Sequence, residues 1–578
     1  MAAPTINIFE QHLLIEEDVS PDDAHPSFSQ DNGADLDQAD FECQKPYISS
    51  TYQRRPPFLV WLRSLYPHRL GRTLYHYTPL FPSQLYETRA SRRRFWQRRS
   101  FLRYLWLIVQ IFLTVVVTLI TFAGLFRPSY TNPPEHYKEL EKRVSSSDTH
   151  GRANINNEKV FIAASIYDPD GELVDGAWGR GVLDLIDLLG EDNVFLSIYE
   201  NCKEPVAKAA LDRFKLQVTC NNSILHEDDM SIDDVAHIIL PDGSKRVKRI
   251  AYLAEVRNRA LRALDGRSLV QFDKLLYLND IIFDPVDAAQ LLFSTHAEGG
   301  RADYRAACAV DFINAFKFYD TFATRDLEGY SMGIPFYPWF SSSGDGESRQ
   351  DVLNQKDAVR VRSCWGGMVA FDANYFQGEG RNVSDISPEE SIGYGSESDR
   401  NLHWHWSNLD TMPSMNSQHA SPPARFRSEP DLYWDASECC LIHADIQEPP
   451  KRDEKMVDTG IYMNPYVRVA YTSRTHSWLR FTRRFERLYS IIHNILNHAV
   501  GLPRLNARRA EIKGEVVYEK VWVEDRKSIA GGAFQTVERV AGTGGFCGVR
   551  FLQVIKEDPK EGEKMWEMLP VPNDSDDN

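Results

Sequence analysis

The chain has 578 residues, enough for several domains, and its hydrophobic content of 42% is too high for a wholly disordered protein. A net charge of -16 leaves no basic excess to neutralise phosphates, which excludes a general nucleic-acid binder. The charge is polarised: residues 1–43 carry eleven acids and no Lys or Arg, whereas 44–103 carry thirteen Lys and Arg and one acid, Glu87.

The acidic residues 1–50 are expected to be disordered, and 51–103 to be a basic segment next to a membrane. Residues 104–126 form an uncharged run of 23 residues. At about 1.5 Å per residue such a helix crosses a hydrocarbon core of roughly 30 Å. The run is too long and starts too late for a cleaved signal peptide. Arg89, Arg92, Arg93, Arg94, Arg98, Arg99 and Arg103 precede it and only Arg127 closely follows. The positive-inside rule therefore predicts a cytosolic tail at 1–103 and a luminal or outer segment at 127–578. Glycosylation patterns at Asn221, Asn382 and Asn573 fit a lumen, as do the seven cysteines beyond the span. An odd number of cysteines leaves at least one thiol free or paired between chains. Residues 127–157 are polar and read as a stem that holds a globular domain off the bilayer.

The globular part is expected at 158–450, followed by a C-terminal extension at 451–578 packed on it. Apolar runs such as VFIAASI, NVFLSIYEN, LQVTCNN and KLLYLND alternate with helical patterns such as GAWGRGVLDLIDLLG and RIAYLAEVRNRALRAL. This spacing predicts an α/β fold with a mostly parallel, Rossmann-type sheet and helices on both faces. The stretch 379–431, rich in Gly, Ser, Pro and Asn, reads as a long loop or lid.

Ligands of open α/β sheets bind beyond the carboxyl ends of the strands. Asp168 and Asp170, Glu200 and Asn201, Asn221 and Asn222, and Asn279 and Asp280 all follow predicted strands. Asp280 is the central candidate, because a carboxylate there can hold Mg²⁺ or Mn²⁺ against the diphosphate of a nucleotide sugar. The DxD often used for this is absent at that position; Asp168-Pro169-Asp170 has the spacing but reads as a turn. Arg257 and Asn258 could bind diphosphate and ribose or lie on a solvated helix face. Trp365, Gly366 and Gly367 could line a sugar pocket or form a buried turn. His443 could be a nitrogen ligand for the metal or a core histidine.

The segments VFIAASIYDPDGELVDGAWGRGVLDLIDLLGEDNVFLSIYEN, YLAEVRNRAL, LLYLNDIIFDP, CWGGMVAFDA and SECCLIHAD resemble the fungal capsule-associated α-1,3-mannosyltransferases, glycosyltransferase family 69. The similarity covers about 158–450. It implies a GT-A-like, single-pass type II enzyme of the Golgi membrane with its catalytic domain in the lumen. The implied reaction takes mannose from GDP-mannose to a mannose-containing glycan in an α-1,3 linkage with retention. By position, the resemblance gives Asp280 the metal and diphosphate. Arg257, Asn258 and Asn279 would face the nucleotide, Trp365 to Gly367 the sugar or acceptor, and Glu438 and His443 would complete the far side, Glu438 as a second catalytic acid. A non-catalytic luminal glycan-binding or assembly factor of the same fold, or an enzyme using another nucleotide sugar, are the competing expectations.

Overall fold

The structure, a computed structural model, describes residues 89–572 apart from 203, 227–229, 231, 266–269, 378–421, 449–454, 526–530 and 557–563. The acidic tail, most of the basic block, the patterns at Asn382 and Asn573 and most of the expected 379–431 loop lie outside the described residues. Helix α1 (Arg89–Phe126) belongs to one compact unit and residues 127–578 to another. Within α1, Arg103–Phe126 has a mean hydropathy of 2.5. Among the described residues this is the one helix long and apolar enough to cross a membrane.

The segment expected to act as a stem is instead packed into the second unit. Tyr130 is 1% exposed and donates its hydroxyl to Val352 O. Helix α2 (Glu135–Ser146) buries Tyr137 and Leu140, the latter in a small core with Ala153, Leu188 and Ala289. The charged helical pattern concealed two apolar contacts on one face, at i and i+3.

The strands β1 (Val160–Ile166), β2 (Val194–Glu200), β3 (Asn221–His226), β4 (Lys274–Leu278), β5 (Ala306–Phe312), β6 (Arg325–Asp326), β7 (Val359–Ser363), β8 (Met368–Asp372) and β9 (Ile461–Ala470) form one sheet. Its order is 6-7-9-5-8-4-1-2-3. The pairs 3–2, 2–1, 1–4 and 5–9 are parallel; β8 and β7 run against their neighbours. Seven of the nine strands thus point one way, so the expected mostly parallel sheet is present with two reversed strands inserted.

Side chains alternate across each strand. In β1, Val160, Ile162, Ala164 and Ile166 enter one core, while Phe161 and Ala163 enter the other. Both faces are covered, which is why the strands read as continuous apolar runs. Helices α3 (Ala177–Leu189), α4 (Pro205–Lys215) and α6 (Pro285–Phe293) supply one core. Helices α5 (Arg249–Leu261) and α7 (Glu438–Ile446) supply the other.

Two boundaries differ from expectation. The run LQVTCNN is not a strand; β3 begins at Asn221, so Asn221 and Asn222 lie at the amino end of the sheet, opposite Phe195 and Leu196. Helix α4 consumes the chain to Lys215 and the following turn returns it to that end. The domain also does not close at 450, because β9 sits inside the sheet between β5 and β7. Beyond it, disulfide Cys440–Cys547 ties α7 to the C-terminal region, and Cys308–Cys364 ties β5 to the β7–β8 turn. Cys202, Cys220 and Cys439 are buried and form no disulfide among the described residues.

The Cys440–Cys547 bridge closes a separation of 107 residues, for which chain entropy gives roughly 4–5 kcal/mol. The double variant Cys440→Ser/Cys547→Ser is expected to unfold at clearly lower urea concentration than wild type in equilibrium denaturation.

Candidate active site

The site is built at the carboxyl ends of adjacent strands. After β1, buried Asp168 accepts from Leu173 N (3.0 Å) and Val174 N (2.8 Å), and exposed Asp170 accepts from Glu172 N (3.2 Å). The DxD of the sequence is therefore a turn that starts α3. At the end of β2, Glu200 is buried with Oε2 3.2 Å from His226 Nδ1 at the end of β3. Burial, and then the charge of Asp168, push the Glu200 carboxyl up to about 8. Asn201 donates to Tyr252 Oη at 2.7 Å.

The dipeptide after β4 divides its labour. Asn279 is buried and held at three points: its N–H donates to Gly367 O (2.9 Å), its carbonyl accepts from Trp178 Nε1 (2.9 Å), and its Oδ1 accepts from Arg257 Nη1 (3.0 Å). The next residue, Asp280, is half-buried and its carboxylate has no hydrogen bond or ion pair among the described residues. Asn279 thus fixes the backbone from which a free carboxylate projects.

Arg257 underlies this arrangement. Its guanidinium is buried, donates from Nε to Glu438 Oε1 (2.9 Å), and lies 4.5 Å from the ring centroid of Trp365. Tyr277 and Phe426 supply two more aromatic faces at 5.6 and 5.7 Å. Burial opposes its charge, but Cys439 and Glu438 outweigh it and its pKa is raised. Asn258 exchanges two hydrogen bonds with the backbone of Phe426, at 2.8 and 2.9 Å.

The β7–β8 turn closes over the strand ends. Gly366 and Gly367 have φ of +60° and +68°. A Cβ at Gly366 would lie 2.0 Å from Ala309 O, and one at Gly367 2.6 Å from Ile281 Cγ2. Both glycines are needed for close approach to the protein's own β5 and β4 segments. Beneath the turn, buried Asp311 at the end of β5 accepts from Tyr471 Oη (2.8 Å) and from Asp320 N (3.1 Å). Asp320 accepts from Ala323 N and, at 3.4 Å, from Gly366 N. Burial and the neighbouring Asp320 charge raise the Asp311 pKa. Burial, Asp311, Tyr319 and Asp280 in turn keep the Tyr471 phenol protonated.

Residues 159–445 match the family described as cryptococcal mannosyltransferase 1. The chain belongs to the cryptococcal mannosyltransferase family. Among solved structures it is similar to the mannosyltransferase PcManGT from Pyrobaculum calidifontis in complex with GDP-Man and Mn²⁺, at 10% identity and a TM-score of 0.27, over 68% of this chain and 76% of that one. A search of curated proteins gives no match.

Within this mannosyltransferase-family domain the predicted site residues separate into two groups. Asp280 stands at the strand edge with its carboxylate available. Arg257, Asn279, Glu438 and Trp365 are buried and Asn258 half-buried behind it, and the hydrogen bonds of Arg257, Asn258, Asn279 and Glu438 are directed at the protein. Burial of the guanidinium between Glu438 and three rings removes it from a diphosphate, contrary to the expected nucleotide contact. His443 is fully buried, stacks on Phe371 at 5.4 Å and has Nε2 3.9 Å from Cys308 Sγ. Burial lowers its pKa to about 3. It clusters with Cys308 and Cys364, which are joined as a disulfide, and among the described residues no group of three or more His, Cys, Asp or Glu donors includes Asp280. The expected pairing of His443 with Asp280 around one ion is therefore not the arrangement here; the apolar pair Leu441-Ile442 before it belongs to the core helix α7, not to a strand leading to the edge. Asp280 fits an ion that draws its other ligands from phosphate oxygens and water.

The sequence reading missed Asp311, Asp320 and Tyr471. An acid closing the apolar run AACAV was the available signal for Asp311. A cavity of about 340 Å³ lies elsewhere, between α2, α6 and the segment after β9, lined by Tyr130, Tyr137, Asp284, Arg468 and Leu479 among others. None of the predicted site residues lines it.

Removing one partner of a buried pair leaves the other charge uncompensated, typically at a cost of about 3–5 kcal/mol. Glu438→Gln is expected to lower stability in urea by that order. A purely catalytic carboxylate would instead lose activity at unchanged stability. For Glu200 the sign is opposite to that of a salt-bridged acid. Its raised pKa means the native state loses stability as pH rises from about 4.5 toward about 8. Glu200→Gln is expected to flatten the fall of Tm over that range, measured by thermal melts at several pH values.

Proposed function

We propose that this chain is a GT-A-like glycosyltransferase that transfers mannose from GDP-mannose to a mannose-containing glycan, forming an α-1,3 linkage with retention. Helix α1 anchors it as a type II protein of the Golgi membrane, with residues 127–578 in the lumen. Family membership supports the transferase class. The observation that carries the site is Asp280: a carboxylate with no hydrogen-bond or ion-pair partner among the described residues, at the carboxyl end of an internal strand, on a backbone immobilised through Asn279.

In this reading the Asp280 carboxylate, with water, holds a divalent cation, Mn²⁺ or Mg²⁺, against the donor diphosphate. The bound ion neutralises charge on the departing diphosphate. The bond from mannose C1 to the phosphate oxygen breaks and a bond from the acceptor hydroxyl oxygen to C1 forms on the same face. The hydroxyl proton passes to the leaving phosphate oxygen and GDP departs. This route needs no protein base, consistent with Glu438 being held in the interior by Arg257. Trp365, Gly366 and Gly367 shape the wall of the site through the turn they form.

The decisive experiment is transfer from GDP-mannose by the full chain, compared with a panel of other GDP- and UDP-sugars. Asp280→Asn is expected to reduce kcat/KM at least about 100-fold, near 2.7 kcal/mol of transition-state stabilisation, at unchanged Tm. Chelation of divalent ions is expected to abolish wild-type turnover, and Mn²⁺ to restore it. Full activity of folded Asp280→Asn would remove the site, and GDP binding without any transfer would instead identify a non-catalytic glycan-binding role. The luminal orientation has its own check. Asn221 is exposed on the edge strand β3, so wild type is expected to shift on endoglycosidase treatment more than Asn221→Gln does.

A further inference from the structure

Helices α8 (Ser473–Thr482) and α9 (Ser490–Ala499) follow the last strand of the sheet. Helix α9 is amphipathic, but it is turned inside out. Its polar residues His493 and Asn497 face the protein: His493 Nε2 contacts Ile334 O at 3.1 Å, and Asn497 Oδ1 accepts from Ile334 N at 2.7 Å. Both are buried, at 2% and 4% exposure. Its apolar residues face outward, with Ile491 66%, Ile492 46%, Ile495 68% and Leu496 40% exposed. A surface helix of a globular protein ordinarily buries its apolar stripe. On α8, Trp478 and Phe481 are also exposed, at 52% and 54%, with ring centroids 5.8 Å apart, and Phe485 lies 5.1 Å from Phe481. Contiguous exposed apolar surface of this kind marks a contact with another phase or partner.

Two further observations select the partner. First, between residues 473 and 505 the chain carries six arginines and one carboxylate, Glu486, in a protein of net charge -16. Arg468 engages that carboxylate through two hydrogen bonds of 2.8 Å. Arg474, Arg484 and Arg504 are exposed beside the apolar residues. Apolar rings and isoleucines bordered by arginine are the composition of a surface that enters an anionic headgroup layer. Secondly, the covalent chain bounds how far the point where it enters the domain lies from the end of α1. Three residues, and so four Cα–Cα steps, separate Phe126, the last residue of α1, from Tyr130, which is locked in the domain core. At about 3.5 Å per step they reach about 14 Å. Tyr130 shares its cavity with Leu479, Arg480 and Arg483 of the α8 region, so the chain enters the domain beside this face.

We propose that the exposed apolar residues of α8 and α9 form a membrane-contact surface that lies in the phospholipid headgroup layer of the bilayer crossed by α1. The proposal rests on the reading of α1 as a membrane anchor.

The test places one fluorescent amino acid at Ile495 in the full chain, reconstituted in phosphatidylcholine nanodiscs with and without phosphatidylserine. Two comparison positions are Leu216, 88% exposed at the end of α4, and Ile111 within the apolar helix. Brominated acyl chains quench from within the bilayer and iodide quenches from water. Emission at 495 is expected to be lost with brominated lipid and spared by iodide, more strongly with phosphatidylserine, while 216 shows the reverse. Quenching of 495 by iodide, with 111 quenched by brominated lipid, overturns the contact surface and leaves the anchor standing. Quenching of 111 by iodide overturns both. Protection of 495 from both quenchers means that protein covers the face, as in a second copy of this chain, and also overturns the proposal.

Discussion

The positive charge of Arg257 in the interior is the constraint around which the domain is arranged. A guanidinium taken out of water is tolerable only with a compensating carboxylate and filled hydrogen-bonding positions. Glu438 provides the first, Asn279 accepts one of the remaining N–H groups, and Trp365, Tyr277 and Phe426 present ring faces. These five partners come from α7, the end of β4, the β7–β8 turn, β4 itself and the segment leading into α7. One side chain on α5 therefore ties together parts of the chain separated by up to 181 residues. Asp280 inherits its position from that knot, because the residue before it is one of the partners.

The edge of the sheet solves an electrostatic problem. A rim of ionised carboxylates would repel a diphosphate as strongly as one carboxylate with a cation would attract it. Here Glu200 and Asp311 are pushed toward the neutral form by burial and by their neighbours, and Asp168 spends its oxygens on backbone N–H groups. Asp280 is half-buried and, among the described residues, its carboxylate has no hydrogen bond or ion pair.

Much of the core fold was legible because it is written in short-range patterns. β1, β2 and β4 are apolar runs followed by polar residues, and α3 and α5 show a clear helical stripe, so their alternation identified the sheet. β3 was misplaced because Asn221 and Asn222 look like a strand's end but are its start. β9 was not seen because its residues, IYMNPYVRVA, include a proline and an arginine that are accommodated by a register shift between Met463 and Arg468. In the site, Asp280 was legible as an acid after a buried strand. The burial of Arg257 and Glu438 was not, since each is a charge whose partner lies far along the chain. The position of His443 depended on reading α7 as a core helix, whose apolar residues surround the histidine on all sides and leave no period to detect. Tyr471 and Asp320 meet Asp311 only through tertiary contacts, for which a single sequence holds no local sign.

The place of β9 has a consequence for how the molecule is made. β5 and β7 touch through it and through no pairing of their own, so the sheet has a vacant slot until residues 461–470 arrive. During synthesis, three hundred residues of domain, from β1 to α7, are threaded before the middle of the sheet can be zipped shut. A nascent chain in that state exposes two unpaired strand edges in a crowded compartment. A chain that ends between α7 and this ten-residue segment therefore keeps the six strands from β5 to β3 and the pair β6–β7 with nothing to join them.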